Sequence, residues 1–223
     1  MKILVFDDSA DHRRSAIALL EGHELTVVET YDEAEKALRL VVDRERVKQA
    51  MKAQFGVESP WDLPEEKREA YWDADRKATA DATTYPDFDV VLTDLLVPAS
   101  NNQQGREGYR FVGQEMPLGT VIAIRALAAG IKRVAIITDM NHHNHPASAA
   151  FDHLKGFAIG DVRLMCDNDN VTTRFDVRAL KRVSEDFLNS DEGKAKYTEM
   201  ADGSHQGVVW AKDWARALEK LMA

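Results

Sequence analysis

Short apolar runs that end abruptly in acidic or hydroxyl residues recur along this chain. The first, Ile3-Leu4-Val5-Phe6, stops at Asp7-Asp8-Ser9, and an uninterrupted run of this kind reads as a central strand buried on both faces. From Asp11 to Glu21 the apolar positions Ala16, Ile17, Leu19 and Leu20 recur at helical spacing, with Gly22 where a helix commonly stops. Leu25 to Val28 is a second β-prone run, and Asp32 is placed to cap a helix carrying Ala34, Ala37, Leu38 and Val41 on one face. Helical spacing continues through Val47, Ala50, Met51 and Phe55, breaks between Gly56 and Pro60, and resumes from Pro64 to about Ala82. The pattern predicts a helical hairpin inserted at about 43–84, with Trp61, Tyr71 and Trp72 as packing residues between its helices.

Phe88 to Thr93 is the next buried strand and ends in Asp94. A polar loop spans Ala99 to Glu115, a helix runs from Pro117 to Ala129 before Gly130, and the strand Val134 to Ile137 ends in Thr138. Ala147 to Leu154 reads as a helix and Val162 to Met165 as a further strand. A helix at about Asp176 to Leu188, a polar stretch, a short strand at Gly207 to Trp210 and a closing helix with Trp214, Leu218 and Leu221 on one stripe complete the chain. Strands alternating with helices predict an α/β fold, a doubly wound parallel sheet whose ligands collect at the C-terminal strand edges. The expected organisation is one domain over 1–223, with the hairpin insertion and a long excursion at about 168–206.

Composition narrows the partners. The chain has 223 residues, 44% of them hydrophobic, enough for one sizeable core. Its 29 Lys and Arg stand against 38 Asp and Glu, a formal net charge of -9, so no broad cationic surface offers itself to nucleic acid. No long uncharged stretch suits a bilayer, and Cys166 is the one cysteine, so neither a disulfide within the chain nor a cysteine zinc cage is available. These features lead to the expectation of a cytoplasmic protein that contacts neither nucleic acid nor membrane.

Three strand ends carry the candidate chemistry, Asp7 with Asp8, then Asp94, then Thr138. Any one of them could merely punctuate a buried strand. Together, at adjacent edges of a parallel sheet, they bring three carboxylates beside one hydroxyl, and a hard divalent cation with oxygen ligands relieves that repulsion. Mg²⁺ fits best, since it accepts one or two carboxylates and keeps waters for a phosphoryl oxygen. His142, His143 and His145 lie just past the Thr138 strand; they are read as a polar loop in preference to a transition-metal site.

The chain resembles the receiver domains of two-component response regulators, in a divergent form with insertions. The resemblance rests on Ile3-Leu4-Val5-Phe6-Asp7-Asp8-Ser9, on Arg13-Arg14 in the following helix, on Asp94-Leu95-Leu96-Val97-Pro98 and on Thr138 at a strand end. It implies a flavodoxin-like fold in which Asp7, Asp8 and Asp94 hold Mg²⁺ with the Leu96 carbonyl. It also implies that Asp94 accepts a phosphoryl group and that Thr138 hydrogen-bonds it. The family places a phosphate-pairing lysine at the end of its fifth strand, where this chain has Cys166-Asp167; Lys212, before the closing helix, is the candidate substitute. Asp139 stands where the family prefers a small residue.

The expected function is a stand-alone phosphoacceptor that is not an enzyme. A sensor histidine kinase or other phosphodonor would load it, and a downstream protein partner would read it. The alternatives are a degenerate receiver acting as a phosphorylation-independent binding module and, more remotely, a haloacid-dehalogenase-type phosphatase with Asp167 and Asp169 as distal acids. The last class wants Asp-x-Asp at the first strand end, and this chain has Asp7-Asp8-Ser9.

Overall fold

The computed structural model describes residues 1–100, 108–139, 149, 156–167 and 171–223. The chain divides into two compact units, Met1–Leu38 with Asp87–Ala223, and Arg39–Pro86. Within the larger unit the apolar runs become the strands β1 (Lys2–Phe6), β2 (Glu24–Val28), β5 (Val90–Asp94), β8 (Arg133–Ile137), β9 (Phe157–Ile159) and β10 (Val162–Asp167). They form one sheet in the order β2-β1-β5-β8-β10-β9, parallel throughout except for the β9–β10 pair. The protein is therefore a mixed α/β structure built on a mostly parallel central sheet.

Alternation along β1 feeds two cores. Leu4 and Phe6 face one side, where they meet Ala34 of α2 (Tyr31–Ala37) and Ile122 and Ala126 of α5 (Gly119–Ala128). Ile3 and Val5 face the other, where Ala16 of α1 (Ala10–Leu19) and Trp214, Leu218 and Leu221 of α8 (Trp214–Met222) cover them. Both cores draw on side chains that exclude water completely, and burial of such a residue stabilises by about 1.5–3 kcal/mol each. The fully apolar runs of β1, β5 and β8 exist because these central strands are covered on both faces.

Two details of α2 differ from expectation. Its N-cap is Thr30, whose hydroxyl accepts from the Glu33 N–H while the Glu33 carboxylate accepts from the Thr30 N–H, a complete capping box. Asp32 therefore sits inside the first turn. The helix closes at Ala37, and Val41 is largely exposed in a short strand and not on the helical face.

In the smaller unit β3 (Val41–Val42) pairs antiparallel with β4 (Thr83–Thr84), and between them stand α3 (Arg44–Phe55) and α4 (Glu65–Asp81). Asp43 caps α3, and Gly56 ends it in the left-handed conformation at φ 74°. Val47, Met51 and Tyr71 pack together, with the Tyr71 hydroxyl donating to the Glu58 carbonyl at 2.8 Å. Trp61 and Trp72 depart from the packing role expected of them, with 70% and 43% of their surface exposed. The Arg68 guanidinium lies 5.1 Å from the Trp61 ring centroid, and Trp72 meets Tyr71 edge-on.

The remaining elements of the larger unit are β6 (Val97–Pro98) paired with β7 (Glu115–Met116), and a separate antiparallel sheet of β12 (Lys181–Arg182), β11 (Thr172–Asp176) and β13 (Val208–Lys212), in that order. The helix expected over Asp176 to Leu188 is instead the end of β11, a turn, β12 and the start of the short α6 (Glu185–Asn189). Asp176 is the reason: its Oδ1 accepts from the N–H groups of Arg178 and Ala179 at 2.8 and 2.9 Å, a turn that competes with helix. Leu180 then adopts φ 51°, and helix restarts only after the Ser184 cap. A second short helix, α7 (Asp191–Lys196), follows. The helix expected at 147–154 and the His142/His143/His145 loop fall outside the described residues, apart from position 149. Among the described residues no helix is long and apolar enough to cross a membrane.

Candidate functional site

Parallel pairing of β1 with β5 sets Phe6 opposite Thr93, so Asp7 and Asp94 emerge side by side at the C-terminal edge. On the other flank Asp94 pairs with Ile137 of β8, which puts Thr138 one residue beyond it; the Thr138 N–H donates to the Asp167 carbonyl at 3.1 Å. This edge, between β1 and β5, is where the order of connections reverses, the place at which open α/β sheets collect ligands. One carboxylate oxygen from each of Asp7, Asp8 and Asp94 lies within 4.8 Å of the others. Asp7 is fully buried, Asp94 is 7% exposed and Asp8 is half-buried.

Lys212 reaches the same point from the end of β13. Its Nζ lies 2.7 Å from Asp7 Oδ2, 2.8 Å from Asp94 Oδ1 and 3.8 Å from Asp139 Oδ1, and the side chain is fully buried. Its backbone is fixed by α1, since the Lys212 carbonyl accepts from Ser15 Oγ at 2.8 Å and its N–H donates to His12 Nδ1 at 3.3 Å. Trp214 locks the next turn by donating its indole N–H to the His12 carbonyl at 2.9 Å. Cys166 lies within β10, paired in register with Ile136 and packed against the first core; burial alone pushes its thiol up to about 11. Of the two residues weighed for the cation's place, Lys212 is the one that meets the carboxylates.

Several contacts hold the acidic ends in position. Arg13 Nη1 donates to the carbonyls of Asp7 and Asp8 at 2.9 and 2.6 Å, while its Nη2 pairs with Glu29. The Ser9 N–H donates to Asp7 Oδ1 at 2.9 Å and the Leu95 N–H to Asp94 Oδ1 at 2.6 Å. Gly119, at the start of α5, lies so near that a Cβ there would stand 1.7 Å from the Asp94 carbonyl oxygen; its N–H donates to Leu95 O at 3.1 Å. Only glycine admits that approach. Leu96 has its side chain in the first core, so it can offer the site nothing but its backbone.

Burial is the largest influence on Asp94, pushing its carboxyl up to about 7; the Lys212 ammonium opposes it and the Asp7 charge adds to it. Asp8 is likewise raised, by burial first and then by Asp7. Lys212 loses to burial but gains more from Asp94, Asp7 and Asp139, and is held above the ordinary lysine range. Burial also works against the Asp139 charge, yet the His12 hydrogen bond and the Lys212 ammonium outweigh it and bring the carboxyl down to about 2. Three converging carboxylates against one ammonium leave a formal charge of two negative. That excess, carried on hard oxygen donors, suits a divalent cation such as Mg²⁺.

His12 and Asp139 escaped the sequence reading as a pair. His12 Nε2 lies 3.1 Å from Asp139 Oδ2, across 127 positions, and the one hint in the sequence is a histidine in the first turns of a helix that starts beside a carboxylate strand end. Asp167, at the end of β10, pairs with Lys220 on α8, and Asp169 is outside the described residues. No protein-family model, no curated protein and no solved structure matches this chain.

Proposed function

We propose that this chain is a receiver-like phosphoacceptor of flavodoxin-like fold, a switch loaded on Asp94 and not a turnover enzyme. The parallel strands taken in chain order run 2-1-3-4-5 across the sheet, the order that goes with that fold. The observation that carries the reading is Lys212, which crosses 205 positions to place a fully buried ammonium against both Asp7 and Asp94. A structural ion pair needs two partners; here one cation serves a three-carboxylate cluster at the ligand-collecting edge of the sheet.

In this reading Asp7, Asp8 and Asp94 hold Mg²⁺, with the Leu96 carbonyl as a further oxygen. When bound, the ion neutralises charge on the transferring phosphoryl group. The chain's own residues do the rest. The Leu95 N–H and the Lys212 ammonium both fall on Asp94 Oδ1, which leaves Oδ2 to attack phosphorus. An O–P bond forms at Asp94, the bond from phosphorus to the donor breaks, and the leaving group departs with the donor. Lys212 then offsets charge on the acyl phosphate as a point charge, and the Thr138 hydroxyl donates to one of its oxygens. The donor is a sensor histidine kinase or another phosphodonor, the reader is a downstream protein, and a cytoplasmic setting accompanies both.

Incubation with Mg²⁺ and a small acyl phosphate tests the proposal. Intact-mass analysis should show one added phosphoryl group, labile to hydroxylamine and absent in Asp94→Asn; in Asp8→Asn both Mg²⁺ affinity and loading should fall at least tenfold. Persistence of the adduct in Asp94→Asn would move the acceptor elsewhere. A second reading, a binding module without phosphotransfer, draws on Asp139, whose carboxylate faces Lys212 at 3.8 Å and competes for it. Absence of any adduct at saturating Mg²⁺ would favour that reading.

A further inference from the structure

The His12–Asp139 pair stands beside Lys212 without being needed to explain the carboxylate cluster. The Lys212 backbone N–H can only donate, so the His12 Nδ1 that it meets at 3.3 Å is the acceptor nitrogen. The hydrogen is then on Nε2, which donates to Asp139 Oδ2 at 3.1 Å. This tautomer leaves the carboxylate charge in place and fixes its orientation, with Oδ1 turned to the Lys212 ammonium at 3.8 Å. His12 is itself held, being 8% exposed, with its carbonyl accepting from the Trp214 indole at 2.9 Å. The aspartate, with about a third of its side chain open to solvent, is therefore aimed by a buried support.

We propose that Asp139, positioned by His12, is a built-in competitor for Lys212 that limits how long a phosphoryl group stays on Asp94. The inference rests on the phosphoacceptor reading of the site. Lys212 divides its N–H donors between Asp7 at 2.7 Å and Asp94 at 2.8 Å, and Asp139 draws on the same ammonium. A phosphoryl group on Asp94 would need that ammonium and would sit near a fixed negative charge. Both effects destabilise the acyl phosphate relative to the free carboxylate. Asp139 and His12 are thus positioning residues, acting through Lys212 and not on phosphorus.

Asp139→Asn is the direct test, because an amide oxygen still accepts from His12 Nε2 while the charge is removed. After loading with acetyl phosphate and Mg²⁺, and removal of donor, the decay of the phosphorylated form is followed by intact mass. Asp139→Asn should decay roughly tenfold more slowly than wild type, equivalent to about 1.4 kcal/mol, with its urea midpoint little changed. His12→Ala frees Asp139 from its support and also removes the acceptor of the Lys212 N–H, so it should change the lifetime by a larger factor in the wild-type background than in Asp139→Asn, and equal factors in the two backgrounds would overturn the positioning role. Equal lifetimes for wild type and Asp139→Asn would overturn the inference and leave the phosphoacceptor reading standing. An adduct on neither protein would overturn both, and an adduct on Asp139→Asn alone would overturn the phosphoacceptor reading of the unaltered chain in favour of the binding module while supporting the competition of Asp139 for Lys212.

Discussion

Replacing Lys212 by methionine keeps an unbranched stem of similar length and deletes the ammonium. Lys212 and Asp7 are both fully buried, and Asp94 is nearly so. The variant therefore strands two buried, neighbouring carboxylates without their cation. Breaking a buried ion pair from one side costs about 3–5 kcal/mol, against a total of about 5–15 kcal/mol for a folded domain. The backbone contacts of Lys212 to Ser15 and His12 do not depend on its side chain, so the loss is attributable to charge. With a urea slope of about 2–3 kcal/mol per molar, the midpoint in chelator should fall by roughly 1–2.5 M. Mg²⁺ should restore more stability to the variant than to wild type, and at a hundredfold excess over the variant's own Kd binding contributes about 2.7 kcal/mol. Unfolding at pH 7 with and without Mg²⁺, followed by tryptophan fluorescence, makes the comparison. An unchanged or higher midpoint for Lys212→Met in chelator would refute the argument, since it would mean that the carboxylates do not need this cation.

Gly119→Ala sets a methyl group 1.7 Å from the Asp94 carbonyl oxygen, so α5 or the end of β5 must shift; the variant should lose about 1–3 kcal/mol and bind Mg²⁺ more weakly, as urea titration and calorimetry would show. Tyr197 donates to Asp176 Oδ2 at 2.5 Å, burial and this bond push the phenol up to about 12, and Asp176 is lowered despite its burial. The Tyr197 contribution is complete below pH 10, its unfolded value, and disappears as pH rises towards 12. Tyr197→Phe should be less stable than wild type by about 1.5–3 kcal/mol at pH 7, and the gap should close at alkaline pH; a gap that persists at pH 12 would discount the bond. The 39–86 unit has its own core around Val47, Met51 and Tyr71, so a short flexible linker in its place should leave one cooperative unfolding transition for the remainder, checked by calorimetry.

The strand ends were legible because a parallel strand buried on both faces is a continuous apolar run, and the first polar residue after it marks the edge of the sheet. Ile3–Phe6 with Asp7, Val90–Thr93 with Asp94 and Val134–Ile137 with Thr138 all declare themselves in that way. The closing helix was equally plain from Trp214, Leu218 and Leu221, all buried. Asp176 misled because its turn is made by a side chain, and a side-chain oxygen capturing two backbone N–H groups leaves no periodic trace. Val41 misled for a related reason: it continues the spacing of α2, but the capping box and the close at Ala37 decide where that helix lies. The Trp61 and Trp72 assignment failed because a place in the hairpin does not say which face is covered: Trp61 falls in the turn between the helices, and Trp72 adjoins the buried Tyr71 on α4. The His12–Asp139 contact was out of reach altogether, since it depends on how β8 and α1 are set around the sheet.

The late arrival of Lys212 has a consequence for how the protein is made. Its ammonium enters the site 205 positions after Asp7, and at about 5–20 residues per second that separation is roughly ten to forty seconds of translation. Throughout that interval the growing chain carries Asp7, and later Asp94, with no Lys212 to meet them. Any product stopped before Val208 would keep the acidic edge but lack its cation and the α8 face of the second core. Assembly of this acidic edge therefore waits on β13 and α8, and a product stopped before them would be a poor native fold.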